Sequence, residues 1–188
     1  MPPPRPILPL LLLPLLLLPR PASCAETDAA PPPHPAPIPL LTLSGGTAQL
    51  FDGADRPFGS VGWRPAARLA DHLGADFLVA VGTHGERYVA AGFFCELPLV
   101  SRLVLTPAFT AGWYDHDGED GHDDDLGFPV EFRTSLQLDW CFHSGIRIGL
   151  SAFHISNASL GLRNPGTEAL ALVLSLPLRL PGSNKAKM

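Results

Sequence analysis

A histidine and a serine stand two positions apart in the segment HISNAS, residues 154–159, and a glutamate follows at position 168. In a β-strand the side chains at i and i+2 point the same way, with Cα atoms about 6.5–7 Å apart, so the His154 imidazole can reach the Ser156 hydroxyl. A carboxylate from Glu168 on a neighbouring strand can hold the other ring nitrogen. These are the nucleophile, base and orienting acid of serine hydrolases, which are recognised by geometry and not by chain order. The G-x-S-x-G elbow of soluble α/β-hydrolases is absent from the sequence.

The elements that must position these residues are β-strands, because alternation with a period of two dominates from about residue 38 onward. The clearest strand is 128–143, which has aromatic side chains at both ends of its apolar face and mostly polar side chains on the other. A water-soluble sandwich also alternates in this way. The length of the strand and its two aromatic ends favour a membrane barrel. The apolar face consists of Phe128, Val130, Phe132, Thr134, Leu136, Leu138, Trp140 and Phe142.

Eight such strands are predicted, near residues 39–51, 58–70, 75–83, 86–97, 101–114, 128–142, 145–158 and 168–179. Eight is an even number and gives the smallest usual closed barrel, in which no sheet edge is left facing lipid. The connections near 71–74, 98–100 and 143–144 are short, as expected for periplasmic turns. Those near 52–57, 84–85, 115–127 and 159–167 are generally longer, as expected for extracellular loops. The sequence therefore predicts an all-β protein, an eight-stranded antiparallel transmembrane β-barrel of the outer membrane, over residues 38–180.

The alternation places His154 and Ser156 on the lipid-facing side of the seventh strand, in line with Ile148, Leu150 and Ala152. Glu168 begins the lipid-facing row of leucines in the eighth strand. Polar groups that face hydrocarbon are unfavourable unless they are hydrogen-bonded, so their presence needs a reason. Two interpretations are open at this point. The three residues form a catalytic group, or they lie in the headgroup zone, where polar side chains cost little.

The segment HISNASLGLRNPGTEALALVLSLPL resembles the outer-membrane lipid A 3-O-deacylases, the PagL family, also called acyloxyacyl hydrolases. Residues 154–158 are similar to the H-x-S-N-A motif of the family, and Glu168 stands fourteen residues after the histidine, as the acid of the family's triad does. The resemblance implies that Ser156 is the nucleophile, His154 the general base and later acid, and Glu168 the group that orients His154. It also implies that no metal or other cofactor is needed.

Asn164 matches an asparagine of the family in the loop between the last two strands. The resemblance implies that its side chain helps to stabilise the oxyanion, together with backbone N–H groups after Ser156. The alternative role is to cap the turn Asn164-Pro165-Gly166, a common use of asparagine. Asn157 points inward by parity and is expected to be a structural hydrogen-bonding residue.

The function expected from the resemblance is that of a serine esterase which removes the ester-linked 3-O acyl chain of lipid A. Its partners would be lipopolysaccharide and membrane lipids, and a homodimer is left open. Two other hypotheses remain. One is a non-catalytic small outer-membrane barrel with a structural or anchoring role. The other is a secreted lipocalin-like binding protein, which the charged residues of the predicted lumen, Glu131, Arg133, Asp139 and Arg147, disfavour.

The amino-terminal 25 residues are typical of a secretory signal peptide, with Arg5 before an apolar run and small residues at 22–25. Cys24 leaves lipidation open as a second outcome of processing. Residues 26–37 form a Pro/Ala-rich leader and residues 181–188 a tail. Cleavage after Ala25 leaves 11 basic and 18 acidic side chains, a net charge of −7, and no basic patch that indicates nucleic acid.

The loop 115–127, DHDGEDGHDDDLG, holds seven carboxylates and two histidines. It fails as an EF-hand, because Asp120 stands where glycine is needed and no bidentate glutamate follows at the right distance. It is either a solvated outer loop or a loose divalent-cation site. The remaining cysteines, Cys95 and Cys141, fall on opposite faces of non-adjacent strands, so a disulfide between them is not expected.

Overall fold

The computed structural model describes residues 38–50, 56–100, 102–116 and 126–178. The predicted signal peptide, the leader, the tail and most of the acidic loop lie outside these residues. The described part contains β1 (Leu40–Ala48), β2 (Arg56–Arg64), β3 (Arg68–Ala70), β4 (Leu73–Gly82), β5 (Arg87–Cys95), β6 (Leu97–Val100), β7 (Leu103–Asp115), β8 (Val130–Cys141), β9 (Arg147–Ser156) and β10 (Thr167–Pro177). Among the described residues no helix is long and apolar enough to cross a membrane.

The ten strand segments form a closed ring of eight antiparallel passes. β1 pairs with both β2 and β10, and the ring continues through β9, β8, β7, β5 and β4 until β4 pairs with β2. The short β3 continues the pass of β2 and also pairs with β4, while β6 continues the pass of β5 and pairs with β7. The prediction of a closed eight-stranded antiparallel barrel is therefore confirmed.

Two passes are interrupted close to proline residues. β2 ends at Arg64, immediately before Pro65, which has no N–H to donate to a ladder. The ladder on β7 breaks between the pairs Phe94–Ala108 and Leu97–Leu105, opposite Pro107. The expected connection at 98–100 was wrong, because β6 extends the pass to Val100.

The two faces of the wall differ as the alternation predicts. Large apolar side chains point outward and are exposed, and the exposed Trp113 and Trp140 lie near opposite ends of the antiparallel pair of β7 and β8. Trp63 stacks on Phe77 at 5.5 Å near the end with short turns, and Phe109 stacks on Phe132 at 5.9 Å toward the other end. We call these the turn end and the loop end. An apolar outer face of this kind matches the hydrocarbon core of a bilayer.

Charged and polar side chains fill the lumen toward the turn end. Glu96 accepts hydrogen bonds from Arg68 at 2.7 Å and from Arg147 at 2.6 Å. Arg64 lies 3.3 Å from Asp76 and donates to Gln137 at 3.1 Å. Such groups are stable away from water because each charge has a partner of opposite sign. This half of the lumen is a packed polar core and not a channel.

Toward the loop end the lumen changes character. Tyr88, Ala90, Leu126 and Ile155 form a buried cluster, against which Leu78, Ala80 and Phe153 pack. The four charged residues that the sequence placed in the lumen, Glu131, Arg133, Asp139 and Arg147, all face inward, and Glu131 and Arg133 lie beside this apolar cluster. Cys95 and Cys141 are free thiols.

Candidate active site

The last two strands bring the predicted site residues to the outer wall at the loop end. In the antiparallel pair of β9 and β10, His154 lies directly opposite Glu168. Directly opposed side chains on one face of such a pair are close neighbours, with Cβ atoms about 4.5–5.5 Å apart. The same register places Ala152 opposite Leu170, so the polar pair ends an outward row that is otherwise apolar.

The His154 and Glu168 side chains are in direct contact. Nδ1 of His154 lies 3.1 Å from Oε1 of Glu168, and the two side chains are 48% and 41% exposed. Because Nδ1 is engaged by the carboxylate, Nε2 is the ring nitrogen left for proton transfer. A carboxylate in this position fixes the tautomer of the imidazole and stabilises its protonated form.

Gly166 packs against the other side of the imidazole. A Cβ atom at this position would lie 2.9 Å from Cε1 and 3.4 Å from Nε2 of His154. The residue also has a φ of 65°, in the left-handed region that favours glycine. Gly166 thus leaves room for the ring where a side chain would crowd it. The Pro165-Gly166 turn signal was visible in the sequence, but its contact with His154 was not.

Ser156 is the last residue of β9 and shares the outward face of His154. Its side chain is half-buried, and its partner across the ladder on β8 is Phe132. Among the described residues nothing is hydrogen-bonded to the Ser156 hydroxyl. The structure thus joins His154 to Glu168 and puts Ser156 two residues along on the same face. Contacts between a catalytic serine and its base are often long until substrate is bound.

Asn157 points inward and ties the two loops beside the site together. Its buried side chain donates from Nδ2 to the carbonyls of Leu126 at 2.8 Å and Arg163 at 2.7 Å. Its Oδ1 accepts from the backbone N–H of Ser159 at 2.9 Å. The structural role expected for Asn157 agrees with these contacts, which hold the chain directly after Ser156.

The turn after Ser156 has an unusual backbone. Ala158 and Ser159 have φ values of 51° and 65°, and the N–H of Leu160 donates to the carbonyl of Asn157 at 3.0 Å. Two central residues with positive φ closed by this bond are the pattern of a type I′ turn, which normally contains Asn or Gly. Left-handed residues of other types are strained, and such strain is concentrated at functional sites.

The backbone N–H groups of this turn are mostly engaged. The N–H of Asn157 donates to Oδ1 of Asn164 at 3.0 Å, and that of Ser159 donates to Asn157. In the described part of the chain, the N–H of Ala158 has no acceptor. Asn164 is exposed and accepts through Oδ1, so its Nδ2 group remains as a donor. The Asn164 side chain therefore bridges to Asn157 across the loop.

This fold and these residues correspond to a known protein family. The family model for lipid A 3-O-deacylase (PagL) matches residues 59–177, which include His154, Ser156, Asn164 and Glu168. The chain belongs to this family. Its assignment to the PagL family and to the outer membrane, predicted from the sequence, is thereby confirmed.

Solved structures share the barrel. A crystal structure of the outer membrane enzyme PagL is similar with 20% sequence identity and a TM-score of 0.54, over 74% of this chain and 99% of that chain. A de novo designed transmembrane β-barrel is similar with 10% identity and a TM-score of 0.52, over 77% of this chain and 98% of that one. At these identities the likenesses establish the fold. No curated protein sequence matches the chain.

The other polar residues singled out in this PagL-family sequence lie away from the site or outside the described residues. His143 contacts Arg102 at 2.8 Å at the turn end. At the edge of the acidic loop, Asp115 lies 3.6 Å from Arg87, and both side chains are more than half exposed. No group of three histidine, cysteine or acidic side chains could hold a metal ion within the described ranges.

Proposed function

We propose that the protein is a serine esterase that removes the ester-linked 3-O acyl chain of lipid A, with Ser156 as nucleophile. The observation that carries this proposal is the contact of 3.1 Å between His154 Nδ1 and Glu168 Oε1 on the outer wall. An imidazole that is held by a carboxylate and lies near a serine on the same face is the arrangement by which serine hydrolases activate their nucleophile. Membership of the lipid A 3-O-deacylase family supplies the substrate class.

The reaction proceeds in two steps. Nε2 of His154 takes the proton of the Ser156 hydroxyl as Oγ attacks the ester carbonyl, and Glu168 stabilises the imidazolium. The bond to the 3-oxygen of lipid A then breaks, and His154 returns the proton to that oxygen, which leaves an acyl-enzyme. In the second step a water molecule, deprotonated by His154, attacks the acyl-enzyme, releases a fatty acid and restores Ser156.

The oxyanion of each step needs hydrogen-bond donors beside Ser156. The N–H of Ala158 and Nδ2 of Asn164 suit this role, because both belong to the loop after Ser156 and neither has an acceptor among the described residues. The bond from the N–H of Asn157 to Oδ1 of Asn164 orients that amide. The oxygen of Asn164 thus binds Asn157 and not the turn Asn164-Pro165-Gly166 that it was alternatively expected to cap, and its nitrogen is left to serve the oxyanion.

The outward position of the residues suits a substrate that is itself a membrane lipid. Lipid A lies in the outer leaflet, and the loop end of an outer-membrane barrel faces that side of the membrane. The ester can therefore approach Ser156 laterally, without entering the lumen. A soluble ester would gain nothing from a site on this wall.

The deciding experiment is mass spectrometry of lipid A from cells that carry the protein, the Ser156→Ala variant or neither. The expected result is loss of one 3-O acyl chain with the native protein only. Ser144→Ala, an exposed serine at the turn end, is the matched control and should retain full activity. Identical lipid A in all cells, with folded protein present, would favour the structural or anchoring role instead. Deacylation by Ser156→Ala would remove the serine mechanism.

A further inference from the structure

A cleft opens into the lumen at the loop end, on the inner side of the wall that carries His154. The volume of the cavity is about 90 Å³, and the cleft is partly open to solvent. Most of its lining is apolar and includes Phe58, Leu78, Ala80, Leu126, Phe153 and Ile155. A concave site with a mostly apolar lining and a few polar groups is typical of sites for small organic molecules.

One charged group in this cleft forms no ion pair among the described residues. Arg133 lines the cleft, and its guanidinium lies 4.1 Å above the ring of Phe153. Its only hydrogen bond within the described part of the chain is a long one, 3.4 Å from Nη1 to the Ser135 hydroxyl. Nε is shielded from solvent and has no partner. A guanidinium has five N–H donors, so most of its capacity is unused.

The other arginines of the cleft each have a carboxylate partner. Arg56 lies 3.6 Å from Glu86, and Arg87 lies 3.6 Å from Asp115. Among the described residues no carboxylate forms an ion pair with Arg133, although Glu131 stands two positions earlier on the same face of β8. A guanidinium set in a mostly apolar cleft without an ion-pair partner favours an anion supplied from outside.

We propose that the cleft binds a medium-chain fatty acid, with its carboxylate on Arg133 and its chain among the apolar side chains. The planar guanidinium fits a carboxylate through two parallel hydrogen bonds. The apolar part of the lining fits a hydrocarbon chain. A neutral lipid would leave Arg133 unpaired.

This site is separate from the site on the outer wall. Phe153 and Ile155 point inward, while His154 and Ser156 alternate with them on the outside. Free fatty acids of the membrane, or the acid released by the proposed reaction, have the same chemistry. The binding does not depend on hydrolysis, so its test stands even if the proposed function fails.

The test is a titration of the purified full-length protein, folded in detergent micelles, with octanoate labelled with carbon-13 at the carboxyl. NMR of the labelled carbon reports binding, and octanamide is the uncharged matched ligand. Saturable binding of one octanoate per barrel is expected, with octanamide at least tenfold weaker, since a charge-assisted pair is about twice as strong as a neutral one. Absence of saturable binding, or equal binding of the amide, overturns the proposal.

Variants locate the site. Arg133→Met should weaken octanoate at least tenfold, and Ala80→Phe, which fills the cleft, should weaken it whatever the charge. Arg102→Met removes an exposed arginine beside His143 at the turn end and should bind as the native protein does. Native-like binding by a folded Arg133→Met barrel, or an equal loss in Arg102→Met, refutes the assignment. If Arg133→Met does not fold, the Ala80→Phe variant is the test. Native-like octanoate binding by that variant refutes the cleft as the binding site.

Discussion

Replacement of Glu168 with glutamine tests the pair on which the proposed reaction depends. The two charges of an imidazolium–carboxylate pair would be 3.1 Å apart. At that separation the attraction is about 5 kcal/mol at an effective dielectric constant of about 20 and about 1.3 kcal/mol in bulk water. Because the His154 and Glu168 side chains are 48% and 41% exposed, the value lies between these limits. A loss of about 3 kcal/mol corresponds to about a hundredfold in rate.

The expected result of Glu168→Gln is therefore a fall in kcat of about 10²- to 10³-fold with little change in KM. Glutamine can still hydrogen-bond to Nδ1, but it cannot stabilise the positive charge that forms on the ring. The assay measures release of the 3-O acyl chain from purified lipid A in mixed micelles, over a range of substrate concentrations. The separation of kcat from KM matters, because Glu168 acts through His154 and does not hold the substrate.

Asp115→Asn is the matched control, since it also removes one carboxylate from an exposed ion pair at the loop end. It should leave kcat unchanged. A fall of less than about threefold for Glu168→Gln, in a folded barrel, would refute the reasoning and leave a dyad of Ser156 and His154. A comparable fall for Asp115→Asn would show that net charge at the loop end controls the rate.

Ser156→Ala and His154→Ala should each abolish deacylation, and the double variant should lose little more, because residues that act as a unit are not additive; single-turnover rates check this. Gly166→Ala should lower kcat about tenfold or more, because the added Cβ would lie 2.9 Å from Cε1 of His154 and displace the ring. Pro165→Ala should leave kcat unchanged, and parallel rate measurements check both. Asn157→Ala should lower the free energy of unfolding by about 2–4 kcal/mol, because three side-chain hydrogen bonds are lost, one of them buried; urea titration of the folded barrel measures this. The native protein should migrate faster on gels before boiling than after, because a closed barrel resists detergent; identical migration would contradict closure.

Much of the fold could be predicted because alternation is a property of each strand by itself. The two faces predicted for 130–141 and for 147–157 are those that the structure shows, down to the buried Asn157 and the exposed His154, whereas Pro129 and His143, expected to face inward, are exposed outside β8. The positions of strand interruptions could not be predicted in this way. They depend on which residue the neighbouring strand places opposite. Pro107 on β7, for example, lies opposite the gap between β5 and β6.

Part of the site was also hidden from the sequence. The pairing of His154 with Glu168 could be predicted, because counting along the two strands places both residues on the outward face and the family motif gives their separation. The left-handed Ala158 and Ser159 carry no turn signal, because neither residue type favours positive φ. Their conformation is imposed by Asn157, whose hydrogen bonds reach two other loop segments. Such an arrangement depends on contacts distant in sequence and cannot be read from local propensity.

The alternation that builds the barrel also explains how one strand end can serve two purposes. His154 and Ser156 face outward, while Ile155 and Asn157 face inward, where they are buried at the loop end. The inward residues fix the height and direction of the outward ones, because Ile155 belongs to the buried cluster and Asn157 holds the following loop. A slip of one residue between β9 and its neighbours would exchange the two sets and put Ile155 where His154 meets Glu168. The packed lumen therefore holds the proposed catalytic residues on the outer wall in position. Changes that weaken the inner cluster should lower activity before they unfold the barrel.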